Sequence, residues 1–159
     1  MKIFFDTNVY VAEALLGEMA EELVLATAKA GWRIFCSPYV LEELERVLTR
    51  TLGFSARLGA LSCRRVRHKA RLVDPGASRH KVIRDINDSP ILKAALAARA
   101  DYLVTNDREL LALHPYEGLQ IISMTAYFEL LKSEGHLAFE TGRKKDTSKK
   151  RGAKRKRQG

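Results

Sequence analysis

Two short segments of the chain place an aspartate beside a hydroxyl and an amide: Asp6-Thr7-Asn8 and Thr105-Asn106-Asp107. Each follows an apolar, β-prone run, Ile3-Phe4-Phe5 in the first case and Tyr102-Leu103-Val104 in the second. In a parallel sheet, residues just beyond the carboxyl ends of strands face the crevice where α/β proteins bind ligands. Carboxylates gathered there from separate strands form an oxygen-only donor set. That set suits a hard divalent ion, Mg²⁺ or Mn²⁺, and not zinc, which prefers sulfur and nitrogen. Such an ion offsets the repulsion between buried acids, engages phosphate oxygens and activates water for in-line attack on phosphorus. Phosphodiester hydrolysis is the reaction this set would serve. Asp, Asn and Thr are also common helix N-caps, and for either motif alone capping is the simpler reading.

Further acids join the candidates. A helix is expected from Ser89 to Ala100, and at about 100° per residue Asp88 falls on the same stripe as Leu92 and Leu96, facing the sheet. Asp85, three residues earlier, reaches the same space. In the helix opened by Ser37-Pro38, Glu42 projects about 160° from the apolar stripe and faces solvent. Glu43 and Glu45 lie at about 100° on either side of it, and geometry alone leaves both open as rim residues. Glu109 could join the site from beyond Asp107, though a solvated helix acid is the plainer reading. His68, His80, His114 and His136 are scattered, so Cys/His or Ser/His/Asp chemistry finds no matching arrangement. A haloacid-type phosphatase needs D-x-D after the first strand, and Asn8 holds that second position. Cys36 and Cys63 lack C-x-x-C spacing and are expected to be buried, reduced thiols.

The elements that must position these acids alternate in type. Strands are expected at Lys2 to Phe5, Trp32 to Cys36, Tyr102 to Thr105 and Leu119 to Ile122. Helices are expected at Asn8 to Gly17, Glu18 to Ala30, from Ser37-Pro38, from Ser55 to about Leu72, from Ser89 to Ala100, briefly from Asp107, and from Thr125 to Glu134. Residues 78–85 read equally as strand or loop. Strands separated by helices imply an α/β fold of three layers, α/β/α, around a central parallel sheet. One domain over residues 1–136 is followed by a basic tail, 137–159, too poor in large apolar residues to repay the entropy of ordering.

Charge is unevenly placed. Of 28 Lys and Arg and 19 Asp and Glu, ten basic residues and one acid lie between Arg143 and Gly159, so the rest of the chain holds eighteen of each sign. Lys144, Lys145, Lys149, Lys150, Arg151, Lys154, Arg155, Lys156 and Arg157 make an electrostatic arm for nucleic-acid phosphate backbones, without interleaved aromatics to read bases. A purely solubilising tail is the bland alternative. No apolar run approaches the roughly 20 residues of a membrane span. Met1 leads directly into Lys2-Ile3-Phe4-Phe5 without a secretory pattern, so a cytoplasmic location is expected.

Taken in order, Asp6-Thr7-Asn8-Val9, Ser37-Pro38 with Glu43-Leu44, Asp85-x-x-Asp88 before an Ala-rich helix, and Ala100-Asp101-Tyr102-Leu103-Val104-Thr105-Asn106-Asp107 closely resemble the PIN domain. The resemblance runs over about Met1 to Glu134. It implies a parallel-sheet nuclease fold that cleaves RNA with one or two Mg²⁺ or Mn²⁺ ions. Matching positions then gives Asp6, Glu43, Asp88 and Asp107 as catalytic metal ligands, Asp85 as an alternate or supporting acid, and Asn8 and Thr105 as supporting polar groups. The chain's size is similar to that of VapC-type toxins, which implies a homodimer and a small antitoxin partner. A stand-alone RNA-processing nuclease and a PIN-fold RNA-binding protein without catalysis are the alternatives.

Overall fold

The computed structural model describes residues 1–76, 85–86 and 89–137. Along the chain these form β1 (Lys2–Phe5), α1 (Thr7–Leu16), α2 (Glu18–Lys29), β2 (Arg33–Cys36), α3 (Pro38–Arg46), α4 (Ala56–Lys69), β3 (Ala70–Leu72), α5 (Pro90–Ala97), β4 (Tyr102–Val104), α6 (Arg108–Leu111), β5 (Gln120–Ile122) and α7 (Met124–Ser133). A π-helical turn, Val47–Thr51, extends α3.

Local chemistry sets the boundaries. Ser37, Ser55, Ser89 and Ser123 each sit just before a helix, and each side chain accepts the N–H three residues on, at 3.1 to 3.5 Å. Pro38 and Pro90 occupy the first helical position, where a missing N–H costs nothing. Gly17, at φ +63°, ends α1 by donating to the Glu13 carbonyl and starts α2 in a new direction.

The five described strands form one all-parallel sheet in the order β3-β2-β1-β4-β5. Ile3, Phe4 and Phe5 are all fully buried, although successive side chains point to opposite faces, so β1 is covered on both sides. From β1 the chain steps outward to β2 and β3, then returns to the other flank of β1 as β4 and β5. The reversal falls between β1 and β4, which makes the carboxyl ends of these two strands the switch point of the sheet. The three-layer α/β expectation therefore holds. On α2 and α7, Thr27 donates to the Leu23 carbonyl and so must accept from the Tyr127 hydroxyl at 2.6 Å, which ties these helices together inside the core.

Two details differ from the sequence-based expectation. The helix expected to reach Leu72 stops at Lys69, and Ala70–Leu72 instead pairs with β2 as an edge strand. The helix expected from Ser89 begins at Pro90, with Ser89 as its non-helical cap, so the angular projection placing Asp88 on its apolar stripe extends the helix past its start. Asp88 itself lies outside the described residues, as does His80. The tail lysines and arginines and nearly all of the ambiguous 78–85 segment lie outside them as well, Asp85 excepted.

Candidate active site

A cleft of about 430 Å³ opens over the β1/β4 switch point. Its polar lining includes Asp6, Thr7, Asn8, Glu43, Asp107 and Glu109; Val11, Tyr39, Ile86 and Leu110 are among its apolar walls. Three of the four acids expected at the site thus come to one space from three different elements. Asp6 follows β1, Glu43 is on α3, and Asp107 follows β4.

Asp6 is the most constrained of them. Its backbone N–H continues the ladder to the Val104 carbonyl at 3.0 Å, which fixes its position beside β4. Oδ1 accepts the Thr7 N–H at 2.6 Å as a helix cap. Oδ2 accepts the hydroxyl of fully buried Thr105 at 2.7 Å and the Asn8 amide at 3.2 Å. Thr105 Oγ1 in turn accepts the Asp107 N–H at 2.9 Å, so one hydroxyl couples the two strand-end aspartates. Asp107 caps α6 through Oδ1, which accepts the Glu109 N–H at 2.8 Å. Capping and site formation are not exclusive here, because each cap uses Oδ1 alone.

Glu43 is reached through Thr7, a residue the sequence reading noted only as a hydroxyl beside Asp6. Thr7 Oγ1 donates to Glu43 Oε2 at 2.7 Å, while Oε1 lies 3.6 Å from the Arg46 guanidinium at the cleft rim. Glu45 is exposed and lines a different depression, as does Glu42. Tyr39 was also missed. It stands in the first turn after β2 and Ser37, a strand-end position of the kind that singled out Asp6.

Burial pushes the Asp6 carboxyl up from 3.8 to about 6; its two principal hydrogen bonds oppose the rise, and the nearby Glu43 and Asp107 carboxylates add to it. Tyr39 is raised as well, first by burial and then by Glu43. Buried Cys36 is pushed up to about 12, an inert thiol, and Cys63 is half-buried; both are free. His114 accepts the Ile121 N–H and His136 packs edge-on against Trp32, which gives both histidines structural roles. Asp85 is exposed and precedes Ile86 in the cleft wall.

Among the described residues, no three His, Cys, Asp or Glu side chains stand close enough to hold one metal ion as they are placed. The chemistry of the lining nonetheless fits a hard cation. Its donors are oxygens, its most buried carboxyl is pushed up first by burial and then by the neighbouring acids, and the buried Oδ1 of Asn8 has no hydrogen-bond partner among the described residues.

Residues 2–109 match the PIN domain family model, and the chain belongs to that family. PIN domains are typically nucleases. Among solved structures, a chain in the crystal structure of VapBC2 from Rickettsia felis bound to a DNA fragment from its promoter is similar in fold. The TM-score is 0.57 at 19% identity, covering 77% of this chain and 98% of that one. No curated protein matches the chain in sequence.

Proposed function

We propose that the chain is a divalent-metal-dependent endoribonuclease acting as the toxin of a toxin-antitoxin pair. The observation that carries this reading is the convergence of Asp6, Glu43 and Asp107 on one cleft at the β1/β4 switch point of a PIN domain. Asp88, outside the described residues, is assigned to the same set from its place in the family pattern, with Asp85 as an alternate. A Mg²⁺ or Mn²⁺ ion bound by these carboxylates would supply Lewis acidity toward a phosphate oxygen and activate a water toward phosphorus.

The protein's own groups do the positioning. Thr105 holds Asp6 from β4, and the Asp107 N–H fixes the orientation of Thr105. Thr7 holds Glu43 across from Asp6, and Asn8 bridges Asp6 and Thr105 at 3.2 and 3.4 Å. The apolar wall of Val11, Ile86 and Leu110 excludes water from one side of the acids, which strengthens every charge interaction in the cleft. Tyr39 offers a ring and a hydroxyl to a nucleotide there.

The toxin assignment and the antitoxin partner are supported by the fold likeness to the VapBC2 chain, and a homodimer and a cytoplasmic location are proposed with them. The assignment is consistent with the finding that, among the described residues, no helix is long and apolar enough to cross a membrane.

The test is incubation of the full chain with single-stranded RNA in Mn²⁺, Mg²⁺ or EDTA. Internal cleavage in either metal and none in EDTA is expected. Equal products in all three, or intact RNA in all three, would refute the proposal. For the toxin assignment, expressing the parent should arrest growth while Asp6→Asn does not.

A further inference from the structure

The balanced charge of residues 1–142 conceals a segregation that the fold turns into a surface. Between Glu45 and Asp74 the sequence holds Arg46, Arg50, Arg57, Arg64, Arg65, Arg67, Lys69 and Arg71, and no acid at all. Most of these fall on α4 and its flanks, at the edge of the sheet beside β3.

On α4, Arg57, Leu61, Arg64 and His68 stand at i, i+4, i+7 and i+11, within about 60° of one another around the helix. All four are exposed, and they lie opposite buried Gly59 and Val66, so they form the outward stripe of the helix. Arg57 and Arg64 are about 10 Å apart along its axis. Together with Ala60 and Leu61 they line a depression of about 330 Å³. Among the described residues, ion pairs engage Arg46 with Glu43 and Lys69 with Glu13, and no carboxylate lies within 4.0 Å of Arg50, Arg57, Arg64, Arg65, Arg67 or Arg71. Arg57 and Arg64, exposed on the outward stripe with no carboxylate within 4.0 Å among the described residues, are arranged for an external anion.

Neighbouring residues link the stripe to the cleft. Arg46 stands 3.6 Å from Glu43. A second depression, of about 410 Å³, joins Arg46 and Arg50 to Ala56, the first residue of α4, with Glu42 and Glu45 on its border. Arg57 follows directly. Arg46, Arg50, Arg57 and Arg64 thus follow one another along the chain from the residue paired with Glu43 to the outward face of α4, a spacing that suits an extended polyanion.

We propose that the outward face of α4, continued through Arg50 and Arg46, is a track for the phosphodiester backbone of an RNA strand whose reacting phosphate lies in the cleft. The proposal rests on the nuclease reading for that last clause. It adds a second phosphate-binding element, on the folded domain, to the C-terminal tail.

The experiment is a salt titration of the binding of labelled single-stranded RNA to the full chain, in EDTA so that nothing is cut. Arg57→Gln/Arg64→Gln should flatten the slope of log affinity against log salt by about 1.4, from about 0.7 for each lost phosphate contact. Arg57→Lys/Arg64→Lys should keep the parental slope. Arg33→Gln/Arg99→Gln removes the same charge at the amino ends of the strands, opposite the cleft, and should also keep it. No flattening in the α4 pair, or equal flattening in both Gln pairs, would overturn the track. A parental RNA slope combined with lost binding of polyglutamate would overturn it in favour of an acidic protein partner. Cleavage in Mn²⁺ with an unchanged slope sinks the track alone, and a flattened slope without any cleavage sinks the nuclease reading alone.

Discussion

The Thr7 hydroxyl donates to Glu43 Oε2 at 2.7 Å, so the residue next to Asp6 orients a candidate acid that is carried by a helix. Thr7→Val keeps the shape and removes the donor. RNA cleavage is expected to fall by about tenfold or more in kcat/KM, as for other residues that orient ligands, with a stability loss of about 1 kcal/mol. Thr7→Ser should restore most of the activity. Parental kcat/KM for Thr7→Val would mean that Glu43 needs no such support.

Asp6 links the site to pH. A carboxyl raised in the folded state stabilises the fold below its unfolded pKa, and that contribution is lost as pH rises through the folded value. For Asp6 the window runs from 3.8 to about 6. The metal-free protein should therefore lose stability across that range. Asp6→Asn should abolish this loss and be more stable than the metal-free parent at pH 7, by up to about 3 kcal/mol. The amide can be accommodated, because the unpartnered Oδ1 of Asn8 supplies an acceptor for it if the Asn8 amide turns over. Thermal melts in EDTA at several pH values measure the effect. A variant that melts below the parent at pH 7 would show that the charged form of Asp6 is well tolerated.

Gly59 sets how closely α4 approaches the π-helical turn. A Cβ there would lie 2.8 Å from Thr49 Cγ2, and Thr49 is held by its hydroxyl bond to the Glu45 carbonyl at 2.8 Å. Gly59→Ala gains about 1 kcal/mol of helix propensity but overpacks this contact at about 1–3 kcal/mol. A net destabilisation of about 1 kcal/mol is expected in denaturant unfolding. Stabilisation would mean that Thr49 moves aside freely.

Much of this was legible from strand-end chemistry. Ile3-Phe4-Phe5 and Tyr102-Leu103-Val104 are apolar runs that both faces of a parallel sheet bury, and each announces the aspartate beyond it. β3 was not legible. Ala70-Arg71-Leu72 follows α4 without a breaker, Arg71 and Leu72 are exposed, and Asp74-Pro75-Gly76 marks the turn only afterwards. Helical projection left Glu43 and Glu45 equivalent, because periodicity measures distance from the apolar stripe and not which rim meets β1. The choice depends on the packing of α3 against α1, where Thr7 meets Glu43. Net charge likewise hid the arginines of α4, since a sum over residues carries no positions.

The tail supplies a separate prediction. Deleting Arg143 to Gly159 removes ten basic residues. It should weaken RNA affinity at low salt and reduce the salt dependence without changing where RNA is cut. Mapping the ends of cleavage products decides the point, and altered cut positions would show that the tail selects sites.

Direct binding of Mn²⁺ to the full chain, followed by calorimetry at pH 7.5 or thereabouts, is the sharpest measurement. The parent should bind the ion, and Asp6→Asn and Asp107→Asn should each weaken it by at least about tenfold while Glu45→Gln leaves it unchanged. Parental affinity in both aspartate variants would mean that the two strand-end carboxylates do not share an ion, and the proposed chemistry of the cleft would be wrong.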